Sequence, residues 1–225
     1  MKKKILVVGA HPDDEILGCG GTLINHIRNR DTVYSLILGE GITSRSTSRD
    51  LSKDKKKLSK IKLHAISANK LIGVKKLYFG NFPDNRFDSV NLLDLIKYIE
   101  SIFTTIKPDI VYTHFYNDLN IDHRLTFQAV VTACRPYKNK CEIYCFETLS
   151  STDFSPGRNN FNPNYFVDIS KSINKKIQAL KKYKTEIKKY PFIRSDKNIM
   201  TLAQYRGLNV GIKYCEAFEL ICKFD

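Results

Sequence analysis

One histidine and three carboxylates stand within residues 10–15, which read Ala-His-Pro-Asp-Asp-Glu. So many ionisable groups are costly to hold together unless a cation neutralises them, and imidazole and carboxylate are both ligands of zinc. A second explanation is open at this point. Asp13, Asp14 and Glu15 could cap the helix after them and complement its dipole. The motif by itself therefore gives metal binding and helix capping about equal weight.

A second cluster of histidine and carboxylates occupies residues 114–124, which read His-Phe-Tyr-Asn-Asp-Leu-Asn-Ile-Asp-His-Arg. Helix capping by Asn120 or Asp122 would not require a histidine at position 123. Two imidazoles and one carboxylate suit catalytic zinc, which keeps its fourth position open for water. A further carboxylate, off the metal, could then accept a proton while water attacks an amide carbonyl. The two clusters together favour a metal-dependent hydrolase.

The hydrophobic patterning around these clusters predicts four successive strand-helix units. This alternation is typical of an α/β fold, here a Rossmann-like, doubly wound and mostly parallel sheet with the order 3-2-1-4-5. In that order strands 1 and 4 are neighbours at the switch point, so the clusters at their carboxyl ends would face one another. The predicted strands are 4–10, 32–38, 75–79 and 109–113, and the predicted helices are 16–30, 51–70, 91–106 and 122–134.

The remaining sequence predicts a less regular C-terminal region. Residues 142–147 resemble a fifth parallel strand, and no linker rich in Gly, Pro or Ser separates this strand from the rest of the chain. We therefore expect one domain over residues 1–225 with an elaborated C-terminal part. Its predicted elements are strand 165–169, helix 171–189, helix 196–206 and strand 215–223.

The net charge of +14 raises the question of nucleic-acid binding. The lysines concentrate in residues 51–70 and 171–189, where they alternate with apolar residues at helical spacing. Such a pattern is typical of solvated helix faces, so no nucleic acid is expected as a partner. A basic surface still favours a substrate that carries negative charge.

The apolar run at the N-terminus ends by Ala10 and is followed at once by charged residues. This run is too short for a secretory signal. No stretch approaches the roughly 18 apolar residues that a membrane span requires. We therefore expect a cytoplasmic protein without a membrane span. The six cysteines form no C-x-x-C pair and are interpreted as reduced core residues.

The combination of His-Pro-Asp-Asp-Glu after strand 1 with Asp-His-Arg at residues 122–124 resembles the PIG-L, or LmbE-like, family of zinc-dependent N-deacetylases. The resemblance implies that His11, Asp14 and His123 bind one zinc ion per chain, with another divalent metal as an alternative. It also implies that Asp13 is the general base. Glu15 is expected to orient the first motif rather than bind metal.

Two departures from the family pattern concern the proton donor. Many members have a histidine at the position of Asn120, which can donate a hydrogen bond to an oxyanion but cannot act as a general acid. His114 is a candidate for part of that role. A late Pro-His-Pro-Arg-Ser-like segment reads Pro-Phe-Ile-Arg-Ser at residues 191–195, so Phe192 replaces a second histidine. Asp13, once protonated, could itself deliver the proton to the leaving group.

Residues 38–45 and 81–88 resemble loops at the rim of the family's sugar pocket. Arg45 and Arg86 are candidates for binding sugar hydroxyls or a phosphate, the alternative being ordinary surface arginines. The expected reaction is removal of an N-acetyl group from an amino sugar or sugar conjugate. Two alternatives stay open, namely a catalytically silent sugar- or nucleotide-binding protein and a basic nucleic-acid-binding α/β protein. The sugar and the oligomeric state, which could be a homo-oligomer, are left open.

Overall fold

A computed structural model describes residues 2–45, 48–137, 140–154 and 156–224. Within these residues seven strands form one sheet, in which the first five are parallel and the seventh pairs antiparallel with both the fifth and the sixth. The strands are β1 (Lys4–Gly9), β2 (Thr32–Gly39), β3 (Lys76–Phe82), β4 (Ile110–His114), β5 (Glu142–Phe146), β6 (Tyr165–Asp168) and β7 (Cys215–Cys222). Their order is β3-β2-β1-β4-β5-β7-β6, which confirms the predicted 3-2-1-4-5 arrangement and extends it by two strands.

The central parallel strands are covered by helices on both sides, and strands of this kind carry apolar residues on both faces. Ile5 and Val7 of β1 belong to one core cluster, whereas Leu6 and Val8 belong to the other. The helices that cover the first cluster are α1 (Asp14–Arg28), α2 (Leu51–Ile72), α5 (Ile173–Leu180) and α6 (Asp196–Leu208). Those that cover the second are α3 (Leu92–Ile106) and α4 (Ile121–Ala133).

Helix α1 is interrupted near its middle. Cys19 has non-helical dihedral angles, and the carboxylate of Glu216 accepts hydrogen bonds from the backbone N–H groups of Gly21 and Thr22. Lys176 pairs with the same carboxylate at 2.6 Å and also donates to the carbonyl of Leu17. This buried group from the C-terminal region therefore fixes the bend in the helix whose first turn carries Asp14.

The predicted helix 171–189 is wrong beyond Leu180, where α5 ends. The chain continues in turns, with the N–H of Tyr183 donating to the carbonyl of Leu180 and that of Glu186 to the carbonyl of Tyr183. Tyr183 is fully buried, and its hydroxyl donates a hydrogen bond to Glu15 of α1. The lysine-rich pattern of the sequence does not reveal this tertiary contact. This irregular segment leads to the candidate site.

No helix among the described residues is long and apolar enough to cross a membrane. The six cysteines, all of them in described parts of the chain, are free thiols, and only Cys222 is partly exposed.

Candidate active site

The two predicted clusters meet where β1 and β4 lie side by side. His11 comes after β1, Asp14 begins α1, and His123 lies in the first turn of α4. One ligand atom from each residue lies within 4.8 Å of the others. The structure therefore brings together the three residues predicted as metal ligands.

The donor atoms of this cluster fit a metal ion. Asp14 Oδ1 and His123 Nε2 are buried and have no hydrogen-bond partner within the described residues. Buried polar atoms are nearly always hydrogen-bonded, so a pair of unpartnered atoms in one cluster fits a site that binds an ion. A carboxylate oxygen and an imidazole nitrogen are both donors that bind zinc.

Two buried aspartates hold the imidazole rings in place. Asp118 lies 3.2 Å from His123 Nδ1, and Asp122 Oδ2 lies 3.0 Å from His11 Nε2. Such carboxylate-histidine contacts fix the tautomer and orientation of metal-binding imidazoles. These aspartates were not predicted to have this role, although both stand in the same sequence cluster as His123.

The charges at the site favour a cation. Burial alone would lower the pKa of His11, but hydrogen bonds to Asp122 and Asp14 raise that pKa well above its ordinary value. The pKa of His123 is also raised, because Asp14 and Asp118 outweigh the effect of burial. For Asp14, burial is outweighed by His123 and His114, which hold its pKa well below the usual range. Asp14 therefore stays ionised where the three donor atoms meet.

Asp13 lies at the edge of this cluster and is held by an arginine from the C-terminal region. Its backbone adopts a φ of 113°, a conformation that is strained for a residue with a side chain. Arg194 Nη1 donates to Asp13 Oδ2 at 2.9 Å, and Arg194 Nε donates to Ser150 Oγ. Burial raises the pKa of Asp13 well above its ordinary value, and the charge of Arg194 partly offsets that rise. Arg194 was not predicted as a site residue.

Glu15 lies behind Asp13 and contacts its backbone. Glu15 Oε1 accepts hydrogen bonds from the hydroxyl of Tyr183 at 2.5 Å and from Asn69 Nδ2 at 2.8 Å, and Oε2 accepts from the N–H of Asp13 at 3.2 Å. Burial raises the pKa of Glu15 to about 7, and the Tyr183 and Asn69 hydrogen bonds limit the rise. Glu15 therefore supports the strained turn at Asp13 instead of facing the ligand atoms.

His114 and Asn120 occupy different positions at the site. His114 is fully buried, its ring stacks on His123 with centroids 3.8 Å apart, and its Nε2 accepts the N–H of Ala10. Burial and the neighbouring His123 lower the pKa of His114 to about 4. Asn120 lines the cavity beside the cluster, where its Oδ1 accepts from the N–H of Asp122 and its Nδ2 donates to Asn85.

That cavity has a volume of about 530 Å³. Arg45 lines it and forms an ion pair with Glu186 at 2.6 Å, whereas Arg86 is not one of its lining residues. The C-terminal region thus contributes Glu186 and Arg194 to the cavity wall. The lining also includes His11, Pro12, Asp13, Gly41, Ile42, Ser44, Ile61, Asp84, Asn85 and Asn120.

The model of the PIG-L family, described as GlcNAc-PI de-N-acetylase, matches residues 6–134, more than half of the chain and both clusters. The chain belongs to the PIG-L family. This membership confirms the resemblance that the two motifs indicate.

Two proteins named as deacetylases are similar to this chain over most of its length. The protein named uncharacterized deacetylase YaiS of Escherichia coli is 30% identical over 190 residues, which cover 82% of this chain and 92% of that protein. The diacetylchitobiose deacetylase of Thermococcus kodakarensis is 26% identical over 226 residues, which cover 97% of this chain and 83% of that protein.

A solved structure shows that the fold itself does not determine the reaction. The 4-carboxy-2-hydroxymuconate hydratase GalB of Pseudomonas putida superimposes with a TM-score of 0.78 at 20% identity, covering 100% of this chain and 98% of its own. At that identity the likeness concerns the fold alone. The reaction of this PIG-L family member has to be argued from its site.

Proposed function

We propose that this PIG-L family member is a metal-dependent hydrolase that removes the acetyl group from the nitrogen of an amino sugar or sugar conjugate. The observation that carries the proposal is that two unpartnered buried atoms, Asp14 Oδ1 and His123 Nε2, converge with His11. Asp13 and His11 line the same cavity. The deacetylase names of the two relatives support the same reaction.

We assign the metal site to His11, Asp14 and His123, with zinc as the expected ion. A divalent ion bound there would polarise the acetamide carbonyl and make water a better nucleophile near neutral pH. Asp118 and Asp122 keep the two imidazoles in the orientation that binding requires. His114 is placed to support this arrangement, since it is buried under His123 and bonded to the backbone of Ala10.

We assign proton transfer to Asp13. Arg194 contacts its Oδ2, so Oδ1 is proposed to accept the proton of the attacking water. The buried carboxyl can hold that proton because burial raises its pKa. The same group then returns the proton to the departing amine nitrogen, which removes the need for a histidine at position 120 or 192.

Asn120 is proposed to steady the oxygen of the tetrahedral intermediate. Its Nδ2 makes one hydrogen bond, to Asn85, within the described residues, and the amide group has a second hydrogen to donate. Donors placed beforehand at a developing oxyanion contribute to catalysis because they need no reorganisation.

We propose Arg45 as a substrate contact because it lines the cavity. Arg86 does not line the cavity, and its contact with substrate stays a sequence prediction. We also propose that residues 1–225 form a single deacetylase domain, since β7 pairs with β5 in one sheet. The substrate is expected to be a small acetylated sugar compound that carries negative charge.

The test is an acetate-release assay on the zinc-loaded protein with N-acetylglucosamine, diacetylchitobiose and N-acetylglucosamine 1-phosphate. We expect acetate and a free amine in equal amounts from at least one of them. Protein stripped with a chelator is the control and should regain activity with zinc. Failure to release acetate from any of the three by fully loaded protein would refute the proposed reaction.

A further inference from the structure

The turn after β5 brings a row of hydroxyl groups to the candidate site. It is called the hydroxyl turn here and comprises residues 148–153, which read Thr-Leu-Ser-Ser-Thr-Asp. Because β5 lies next to β4 and runs parallel to it, the turn begins at the sheet edge from which the segments with His11 and His123 also leave. Its residues are neither proposed metal ligands nor proposed bases, yet they contact both sides of the site.

Hydrogen bonds within the turn fix its shape. The carbonyl of Thr148 accepts the N–H groups of Ser151 and Thr152, and the Thr152 hydroxyl accepts the N–H of Thr148 at 2.8 Å. Ser150 has a φ of 83°, in the left-handed region, and its N–H donates to Asp153 Oδ1. Serine, threonine and aspartate favour turns because their side chains bond nearby backbone groups in this way. The hydroxyl groups of the turn are therefore held in fixed directions.

Thr152 holds the carboxylate that orients His123. Its hydroxyl proton is available to Asp118 because the oxygen already accepts the backbone N–H of Thr148. The Thr152 hydroxyl lies 2.5 Å from Asp118 Oδ2, and Asp118 Oδ1 lies 3.2 Å from His123 Nδ1. Thr152 and Asp118 are both buried, so bulk water does not compete for their hydrogen bond. The turn thus reaches the imidazole of His123 through one intervening carboxylate.

Two further hydroxyl groups of the turn lie against the same imidazoles. Ser151 Oγ lies 3.2 Å from Asp118 Oδ2 and 3.4 Å from His123 Nδ1. Thr148 Oγ1 lies 3.4 Å from Nδ1 of His114, whose ring stacks on that of His123. These contacts are longer than the one that Thr152 makes, so Thr152 is the main support of the metal side.

Ser150 reaches the opposite side of the site. Ser150 Oγ accepts a hydrogen bond from Arg194 Nε at 3.0 Å, and Arg194 Nη1 donates to Asp13 Oδ2 at 2.9 Å. A guanidinium group is planar and rigid, so contacts at two of its nitrogens fix both its position and its rotation. Ser150 therefore helps to determine where Arg194 meets the carboxylate of Asp13. Ser150 is exposed, so a smaller effect is expected from it than from Thr152.

We infer that the hydroxyl turn sets the position of the proposed metal ligand His123 relative to the proposed base Asp13. Thr152 is a positioning residue that acts on His123 through Asp118. Ser150 is a positioning residue that acts on Asp13 through the guanidinium group it binds. The inference rests on the proposed function and deepens it, because a base must lie within hydrogen-bond reach of the water from which it takes a proton.

The first test separates the hydroxyl of Thr152 from its volume. Thr152→Val keeps the shape of the side chain and removes the hydroxyl, whereas Thr152→Ser keeps the hydroxyl. We expect Thr152→Val to weaken zinc binding by about tenfold or more, and Thr152→Ser to stay within about threefold of the wild type, as for a group that orients a ligand. Competition with a chelator of known affinity measures zinc binding without turnover. Wild-type zinc affinity in Thr152→Val would overturn the inference.

Tyr144→Phe is the control for a general loss of stability. The hydroxyl of Tyr144 donates to Glu142 Oε2 at 2.6 Å, and Glu142 lies at the end of β5 opposite to the turn. We expect the denaturant midpoint of the metal-free protein to fall in both Tyr144→Phe and Thr152→Val, but zinc affinity to fall only in Thr152→Val. If both variants lose zinc affinity equally, the turn has no positioning role.

The second test removes the hydroxyl of Ser150 with opposite effects on backbone strain. At a φ of 83° alanine is strained as serine is, whereas glycine adopts this conformation freely. We expect kcat to fall about three- to fivefold in both Ser150→Ala and Ser150→Gly, with KM and zinc affinity within about twofold of the wild type. The loss then follows the hydroxyl and not the strain. A loss in Ser150→Ala that Ser150→Gly restores would contradict the role of Ser150.

A double-mutant cycle tests whether Ser150 acts through Arg194. In the Arg194→Met background, Ser150→Gly should cause no further loss of kcat, because the side chain that it positions is gone. Losses that multiply would mean that Ser150 acts independently of Arg194, and would overturn this half of the inference.

Two measurements keep the inference separate from the proposed reaction. If the wild type releases no acetate, the reaction fails, and the zinc affinities of the Thr152 variants together with a crystal structure of Ser150→Gly still decide about the turn. In that structure Arg194 should no longer lie within hydrogen-bond distance of Asp13, and an unmoved Arg194 would overturn the inference. If acetate is released but Thr152→Val and Ser150→Gly both behave as the wild type, the reaction stands and the inference fails.

Discussion

The proposed metal ligands and the residues that hold Asp13 come from different kinds of structure. His11, Asp14 and His123 stand at the ends of adjacent parallel strands or in the helix turns after them. Arg194 and Tyr183 come from residues 181–195, which mostly form turns. We propose that the sheet edge binds the metal and that the C-terminal segment sets the protonation state of the base.

The largest effect is expected on the metal side. His123→Ala should lose zinc and reduce acetate release by at least about a thousandfold, because a three-residue site deprived of one donor binds metal poorly. Metal content by elemental analysis and the acetate assay measure the two effects on the same sample. His64→Ala is the control, as His64 lies outside the cluster, and it should keep its zinc. A variant of His123 that retains zinc would break the assigned ligand set.

Asp13→Asn should keep zinc near the wild-type level while reducing kcat by at least about a hundredfold, as expected for loss of a general base. Amide and carboxylate have similar size, so the turn at Asp13 should persist. Loss of zinc in this variant would show that Asp13 belongs to the metal side and that ligand and base have been assigned the wrong way round.

Arg194→Met tests the C-terminal side directly. The arginine lowers the pKa of Asp13, so its removal should raise that pKa. Because the base works only when deprotonated, the acidic limb of the kcat/KM profile should move to higher pH, and zinc content should not change. We also expect kcat to fall about tenfold at neutral pH, since the ion pair orients the carboxylate. A profile that stays in place would separate Arg194 from the base.

The smallest effect is expected for Tyr183→Phe, which removes one donor from Glu15. A buried carboxylate that loses a donor destabilises the fold by about 1–3 kcal/mol, measured by denaturant unfolding. We expect kcat to fall by about three- to tenfold with zinc retained, because Glu15 supports the backbone of Asp13. Tyr98→Phe is the control. The hydroxyl of Tyr98 donates to the carbonyl of Phe79 and not to Glu15, so its removal should change stability only.

The sequence predicts that His11, Asp14 and His123 meet, because the information for this cluster is local. Each cluster comes directly after a hydrophobic strand, and the alternation of strands and helices places the two strands side by side. Asp118 and Asp122 stand in the predicted cluster, but only their distances to the imidazoles reveal that they orient them. The sequence at the strand ends thus indicates the candidate ligands but not the residues that orient them.

The C-terminal side could not be predicted in the same way. Residues 171–189 have a helical pattern of apolar residues and lysines, yet α5 ends at Leu180 and the turns beyond it bring Tyr183 and Glu186 to the site. Arg194 lies 181 residues from Asp13 in the chain. In the sequence, the nearby Phe192 indicates only that a histidine of the family pattern is replaced. Such contacts depend on tertiary packing, which periodicity does not record.

The most direct test of the account is an anomalous difference map from crystals of the zinc-loaded protein, collected at the zinc absorption edge. We predict one strong peak per chain, bonded to Asp14 Oδ1, His123 Nε2 and His11, with the Asp13 carboxylate close by but not bonded and still paired with Arg194. A peak bonded to Asp13, or no peak between the ends of β1 and β4 in fully loaded crystals, would contradict the assignment of ligands and base.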